Sequence, residues 1–357
     1  MPSLDMTVAG TASQPGGEDS INVAFRDVPR ALWCILGCFA LLYTANYHAV
    51  ARNSRRHVFW SVVTLMAVVF SHFYAKIDCR PWLALRNCAF SCCFMKCLDM
   101  LFRRFQNTTL TWKLPTPSST PPPLYQQAFW MTLELRYEHF TPNPVRIPVP
   151  APFHEPTQWL YHLLVYAIIT FGPLPQDLSI VKAVKLLLQI YIIWTAMHLP
   201  LRLLDTAPFF APLYTADSLV KFWNGTVWHV AFQSPCRSVA MVPVQTLLTG
   251  LGTSRSLARG AGVIAAFALM GVFHAYIGWA VMRDSVYGWG VVVGFFVMNG
   301  IATVLESVLW GRRRSWVRAV LAWGFEIALA SWAMSGVEFP RELWRVHDPL
   351  FCHISVL

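Results

Sequence analysis

GAGVIAAFALMGVFHAYIGWAVM, residues 260–282, contains no Asp, Glu, Lys or Arg. About 20 residues of helix cross the hydrocarbon core of a bilayer, so this stretch reads as a transmembrane helix. Working outward, residues 31–51, 57–75, 156–176 and 285–305 are equally free of charge. Residues 186–201 and 319–337 join them if Lys185 snorkels at one flank and Glu326 is tolerated in the other. The weaker segment 81–101, with Arg86, Lys96 and Asp99, brings the expected number to eight. The runs are continuous rather than alternating, which excludes a β-barrel. The expected fold is therefore all-α, a polytopic membrane bundle. A chain that is 55% hydrophobic and 13% charged is too apolar for an ordinary soluble domain of 357 residues.

Residues 1–25 are polar and lack the apolar centre of a cleavable signal peptide, so the first span is expected to direct insertion itself. Residues 1–30 are expected to be disordered, 31–337 to form the membrane domain and 338–357 a tail. The basic clusters RNSRRH (52–57) and GRRRS (311–315) belong on the cytosolic side by the positive-inside rule. That parity holds only if 81–101 crosses, or if 238–253 crosses in its place. The net charge of +10 is then what topology and an anionic leaflet require, and it calls for no nucleic acid. The sequons at Asn107 and Asn224 fall on the cytosolic side and are expected to stay unglycosylated.

Nine cysteines make no disulfide framework. Cys88, Cys92, Cys93 and Cys97 lack a CxxC pair or a neighbouring histidine, so they read as packing residues and no metal site is expected. Two long inter-span regions remain. Residues 102–155 are dense in proline and read as a semi-rigid linker, with amphipathic content only around 125–138. Residues 203–259 are too aromatic for a solvated loop and too broken by Pro and Gly for a clean span. They fit an interfacial or re-entrant segment buried in protein, with Asp217 or Ser218 capping a short helix that enters at Leu219.

This segment holds FWNGTVWH (222–229), and His274 follows forty-five residues after His229. His274 lies 14 residues into its span, roughly 21 Å deep, where an unsatisfied N–H is costly; the ring faces a partner or a cavity. A neutral imidazole accepts a proton at one nitrogen while a hydrogen bond orients the other, which suits it to general-base work. An interhelical hydrogen bond is the plainer role for a lone histidine in a span. No GxSxG, GxxxxGK[ST], HExxH or DxxxD pattern offers a rival chemistry. Glu306 and Glu326 are the acids that an ion or proton route would use.

The FWxxxWH segment followed by a histidine in a long apolar helix resembles the wax-synthase-like branch of the membrane-bound O-acyltransferases, especially fungal members that acylate secondary metabolites. The resemblance implies that His274 is the catalytic base and His229 its partner, with Phe222, Trp223 and Trp228 completing the motif. Gly225, Thr226 and Val227 stand where such proteins usually carry basic residues, and Ala275 where the wider superfamily is often acidic. It further implies acyl-CoA as co-substrate, with no bound cofactor, and a lipophilic alcohol reaching His274 from the bilayer. The phosphates of CoA are expected near Lys221, Arg237, Arg255 or Arg259, and a donor to the oxyanion at His229, Asn224 or Asn299. The expected activity is acetyl transfer to a hydroxyl of a terpenoid or meroterpenoid at the endoplasmic reticulum membrane. A wax-ester synthase acting on long-chain alcohols and a membrane transporter are the alternatives.

Overall fold

The computed structural model describes residues 17–114, 120–143, 155–199, 206–223, 227–228, 231–279, 286–311 and 315–336. The order begins α1 (Gly17–Val50), α2 (Ser54–Tyr74), α3 (Arg80–Phe105), β1 (Thr111–Trp112), α4 (Leu124–Leu133) and β2 (Phe140–Thr141). It continues with α5 (Glu155–Phe171), α6 (Ser179–His198), a 3-10 turn (Leu213–Thr215) and the short helices α7 (Leu219–Lys221) and α8 (Gln233–Pro235). A π-helical stretch (Cys236–Met241), α9 (Val242–Gly250), α10 (Arg255–Trp279), α11 (Val286–Leu309) and α12 (Trp316–Gly336) complete it. Helix dominates, as the uninterrupted apolar runs require, and each of the eight expected segments corresponds to one long helix.

Among the described residues, six helices are long and apolar enough to cross a membrane: α1 from Phe25, α2, α6, α10, α11 from Gly288, and α12. Their outward faces carry large apolar side chains such as Trp33, Phe73, Val308 and Trp316, each more than two-thirds exposed, a surface that only lipid would cover. The other two, α5 and α3, fall short for different reasons. α5 is only 17 residues long, and α3 carries Arg86, Lys96 and Asp99, all buried.

Two boundaries differ from expectation. α1 begins at Gly17, inside the segment expected to be disordered. Buried Asp27 explains this in part, because its Oδ2 accepts the backbone N–H groups of Asp78 and Cys79 and so fixes the entry of α1 to the α2–α3 loop. Lys185 does not snorkel. It is buried and donates to Gln176 Oε1 at 3.0 Å, which lets α6 begin at Ser179 rather than at 186.

α3 is the pivot of the bundle, in contact with α1, α2, α10 and the π-helical stretch. Cys93 and Cys97 on one side of it pack with Cys38, Leu42, Val68 and Phe90, in the packing role that the sequence suggested. Cys79, at its entrance, is disulfide-bonded, while the other described cysteines are free. Further along, Asp99 accepts from Arg103 Nε at 2.9 Å, from Ser238 Oγ at 2.5 Å and from Ser234 Oγ. A buried carboxylate is stable only when its lone pairs are occupied, and these bonds moor α8 and the π-helical stretch against α3.

α1 and α3 end in the same way. In each, the second residue past the helix adopts a left-handed conformation, Arg52 at φ 56° and Asn107 at φ 54°. Arg52 N–H donates to Ala49 O and Asn53 N–H to His48 O; Asn107 N–H donates to Arg104 O and Thr108 N–H to Arg103 O. These are paired Schellman turns, which satisfy the last carbonyls and usually place glycine at the left-handed residue. A side chain with a Cβ there costs about 1 kcal/mol. Asn53 then caps α2 by accepting the Arg56 N–H.

The region 102–155 is more than a linker. β1 pairs antiparallel with β2 in the register Thr111 to Thr141 and Trp112 to Phe140, and α4 packs on α1 through an Asn46 Nδ2–H bond to Thr132 Oγ1. Arg136 donates to Pro208 O at 2.7 Å and to Ala207 O, while Ala207 N–H donates to Glu138 Oε2 at 2.7 Å. Arg136 and Glu138 are also ion-paired. The expected linker thus grips the backbone at which the aromatic segment begins.

Candidate active site

The segment from 206 onward is irregular yet enclosed. Phe209, Phe210, Leu213, Phe222, Val227 and Phe232 are all buried in it. Irregular backbone survives at such depth only when its polar groups find partners in protein. Ser218 caps α7, its Oγ accepting the Lys221 N–H at 3.1 Å, in agreement with one of the two expected caps. The other orphan amides of this turn, Leu219 N–H and Val220 N–H, donate to Glu306 of α11 at 3.0 and 2.9 Å. Glu306 also accepts from Arg318 of α12 at 2.9 Å. One carboxylate therefore ties the aromatic segment to two membrane helices, a structural duty for an acid that the sequence offered to an ion route.

The chain then doubles back: Trp228 N–H donates to Phe222 O at 3.0 Å, which lays the Trp228 ring on Phe222 with centroids 5.4 Å apart and planes at 18°. The Trp223 ring meets Phe267 of α10 and Phe296 of α11 as well as Trp228. Its Nε1–H donates to Asn299 Oδ1 at 3.2 Å and to Glu326 Oε1 at 2.5 Å. Glu326 is the site residue that sequence reasoning undervalued. A lone acid in the middle of a span was the available signal, and the missing information was that the Trp223 indole meets it.

His274 sits half-buried on α10, its ring stacked on Phe296 at 4.4 Å. Phe296 therefore touches both Trp223 and His274 and makes the two histidine-motif regions neighbours. The imidazole Nδ1 is 2.8 Å from Met270 O, one turn back. A carbonyl can only accept, so Nδ1 carries the proton and Nε2 is left with the lone pair. No described residue bonds to Nε2.

Close helix contact holds this ring in place. A Cβ on Gly271 would come within 2.9 Å of Val293 Cα, and one on Gly262 within 2.8 Å of Met241 O. α10 accordingly lies against α11 and the π-helical stretch at backbone distance, as small residues permit in membrane helices.

The remaining expected residues divide. Asn299 is fully buried and both ends of its amide are in use, Oδ1 with Trp223 and Nδ2 with Phe295 O at 3.2 Å, so it is placed to scaffold rather than to meet an oxyanion. Lys221 Nζ donates to Thr215 O at 2.5 Å and to Asp217 at 3.5 Å, within its own loop. Arg237, Arg255 and Arg259 are exposed, the last two one turn apart at the start of α10. His229 and Asn224 lie outside the described residues. Among the described residues no group of His, Cys, Asp and Glu is arranged to hold a metal ion.

No curated protein and no solved structure matches the chain. Residues 206–298, the stretch that contains the aromatic segment, α10 with His274 and α11 as far as Met298, match the model of the Membrane bound O-acyl transferase family.

Proposed function

We propose that the protein is an acyl-CoA-dependent O-acyltransferase that moves an acetyl or other short acyl group onto a hydroxyl of a terpenoid or meroterpenoid in secondary-metabolite biosynthesis. The observation that carries the reading is the tautomer of His274. With Nδ1–H held by Met270 O, Nε2 is a free base deep in an apolar span, where a lipophilic alcohol is concentrated. Nε2 takes the hydroxyl proton as the alcohol oxygen attacks the thioester carbonyl. The tetrahedral intermediate then collapses, the C–S bond breaks, and the thiolate of CoA leaves and takes up the proton that the imidazolium gives back. His229 or Asn224 is assigned the developing oxyanion. Asn299, with its amide engaged, is not.

The aromatic packing of Phe222, Trp223, Trp228 and Phe296 keeps water from the thioester, which favours transfer over hydrolysis. In this reading the protein is a multi-pass protein of the endoplasmic reticulum with α3 and α5 as the two crossings beyond the six. Residues 203–259 are assigned as its interfacial or re-entrant segment. Arg237, Arg255 and Arg259 stand at the cytosolic end, available to the charged donor.

The test is a microsomal assay with radiolabelled acetyl-CoA, longer acyl-CoAs and a panel of terpenoid and fatty alcohols, on wild type and His274→Ala at matched expression. Label in a terpenoid ester from wild type alone supports both the reaction and the base. Label only in fatty-alcohol esters makes it a wax-ester synthase. Failure of every donor, together with no binding of acyl-CoA, overturns the reading in favour of transport.

A further inference from the structure

A cavity of about 780 Å³ opens between the C-terminal turns of α1 and α3 and the β1–β2 pair. Arg52, Ser54, Arg104, Asn107, Thr111 and Trp112 are among its lining residues, and among the described residues no Asp or Glu lines it. Neither Arg52 nor Arg104 forms an ion pair or a side-chain hydrogen bond with any described residue. Buried Arg103 and Arg318 are paired with Asp99 and Glu306, whereas Arg52 is exposed and Arg104 half-buried. Two arginines lining one space with no described acid, among hydroxyl and amide residues, are the chemistry that recognises phosphate.

Backbone conformation points the same way independently. Arg52 occupies the left-handed position of a Schellman turn, where glycine fits without strain. A strained residue that persists at the mouth of a cavity points to a use for its side chain. The positive-inside rule and the partial negative charge at the ends of α1 and α3 also favour arginine at these two places. Neither consumes the charge: each helix end contributes about half a negative charge, so two guanidiniums leave the cavity net positive. Its volume is that of a small-molecule site.

We propose that this cavity binds a phosphate-bearing ligand, with Arg52 and Arg104 as its anion-binding pair. The ligand is a soluble nucleotide phosphate or a phosphorylated lipid headgroup, and the site does not depend on the acyltransfer reading. The experiment uses full-length protein in neutral-lipid nanodiscs, titrated calorimetrically with adenosine 3′,5′-bisphosphate and, separately, with a short-chain phosphatidylinositol phosphate. Binding of either probe, weakened about tenfold or more by Arg52→Gly combined with Arg104→Gln and by added salt, is the expected result. Which probe binds identifies the source. Arg52→Gly alone relieves backbone strain, so its melting temperature should not fall while its affinity does. Absence of binding by both probes, or equal affinity in wild type and the double variant, overturns the proposal.

Discussion

The indole N–H of Trp223 is shared between Asn299 Oδ1 at 3.2 Å and Glu326 Oε1 at 2.5 Å, joining the aromatic segment to the middle of α11 and α12. The same ring meets Phe296, on which His274 is stacked. A carboxyl group in the middle of a span is expensive, and here it is used to fix an aromatic wall beside the candidate base.

The first prediction follows from that bond. Glu326→Gln keeps an oxygen that can accept from Trp223, whereas Glu326→Leu and Trp223→Phe do not. Turnover should stay within a few-fold of wild type in Glu326→Gln and fall about tenfold in the other two, the loss of one hydrogen bond of about 1.4 kcal/mol. Microsomal acyl transfer at matched expression measures it. Equal turnover in all three variants would separate Glu326 from the site.

Gly271 carries the second. It precedes His274 by three residues, and an added methyl would overlap Val293 Cα, a backbone atom that cannot rotate away. Gly271→Ala should push α10 from α11 and cost about 1–3 kcal/mol of stability, with displacement of the His274 ring. Gly290, where a Cβ meets nothing within 4 Å, is the control. A lower melting temperature and lower turnover are expected for Gly271→Ala, and neither for Gly290→Ala.

The sequence made the eight long helices legible because charge-free runs of bilayer length leave little alternative to helix. It made Ser218 legible as a cap for the same kind of reason, a local one. What it concealed were pairings between distant residues. Nothing near Glu326 indicates Trp223, nothing near Glu306 indicates the amides of 219 and 220, and the prolines around 124–143 hide a segment that clamps 207–208. Asn299 shows the converse: an amide in a span reads equally as scaffold or oxyanion donor until its two partners are seen.

Topology supplies the third prediction. Asn107 is exposed after α3 and belongs to a sequon, so a glycosidase shift of the protein expressed in eukaryotic microsomes reports its side of the membrane. No shift is expected for wild type. A sequon introduced at Lys76, in the α2–α3 loop beside the disulfide-bonded Cys79, should be glycosylated, since oxidised cysteines belong to the lumenal face. The reverse pattern would invert the bundle and place Arg52 and Arg104 in the lumen.

The fourth prediction concerns the clamp on 207–208. Arg136 is buried, paired with Glu138 and bonded to two carbonyls of the aromatic segment, while Glu138 takes the Ala207 N–H. Removing one member of a buried pair leaves the other charge uncompensated, at a cost of about 3–5 kcal/mol. Arg136→Met should therefore lower both the melting temperature in detergent and the acyl-transfer rate. Arg136→Met combined with Glu138→Gln should recover part of the stability, because the stranded carboxylate is gone and an amide oxygen can still accept from Ala207. Activity should recover less than stability, since the carbonyls of 207 and 208 have lost their donors and the segment that leads to Trp223 is no longer held. Equal stability in wild type and Arg136→Met would show that 102–155 is the passive linker its prolines suggest.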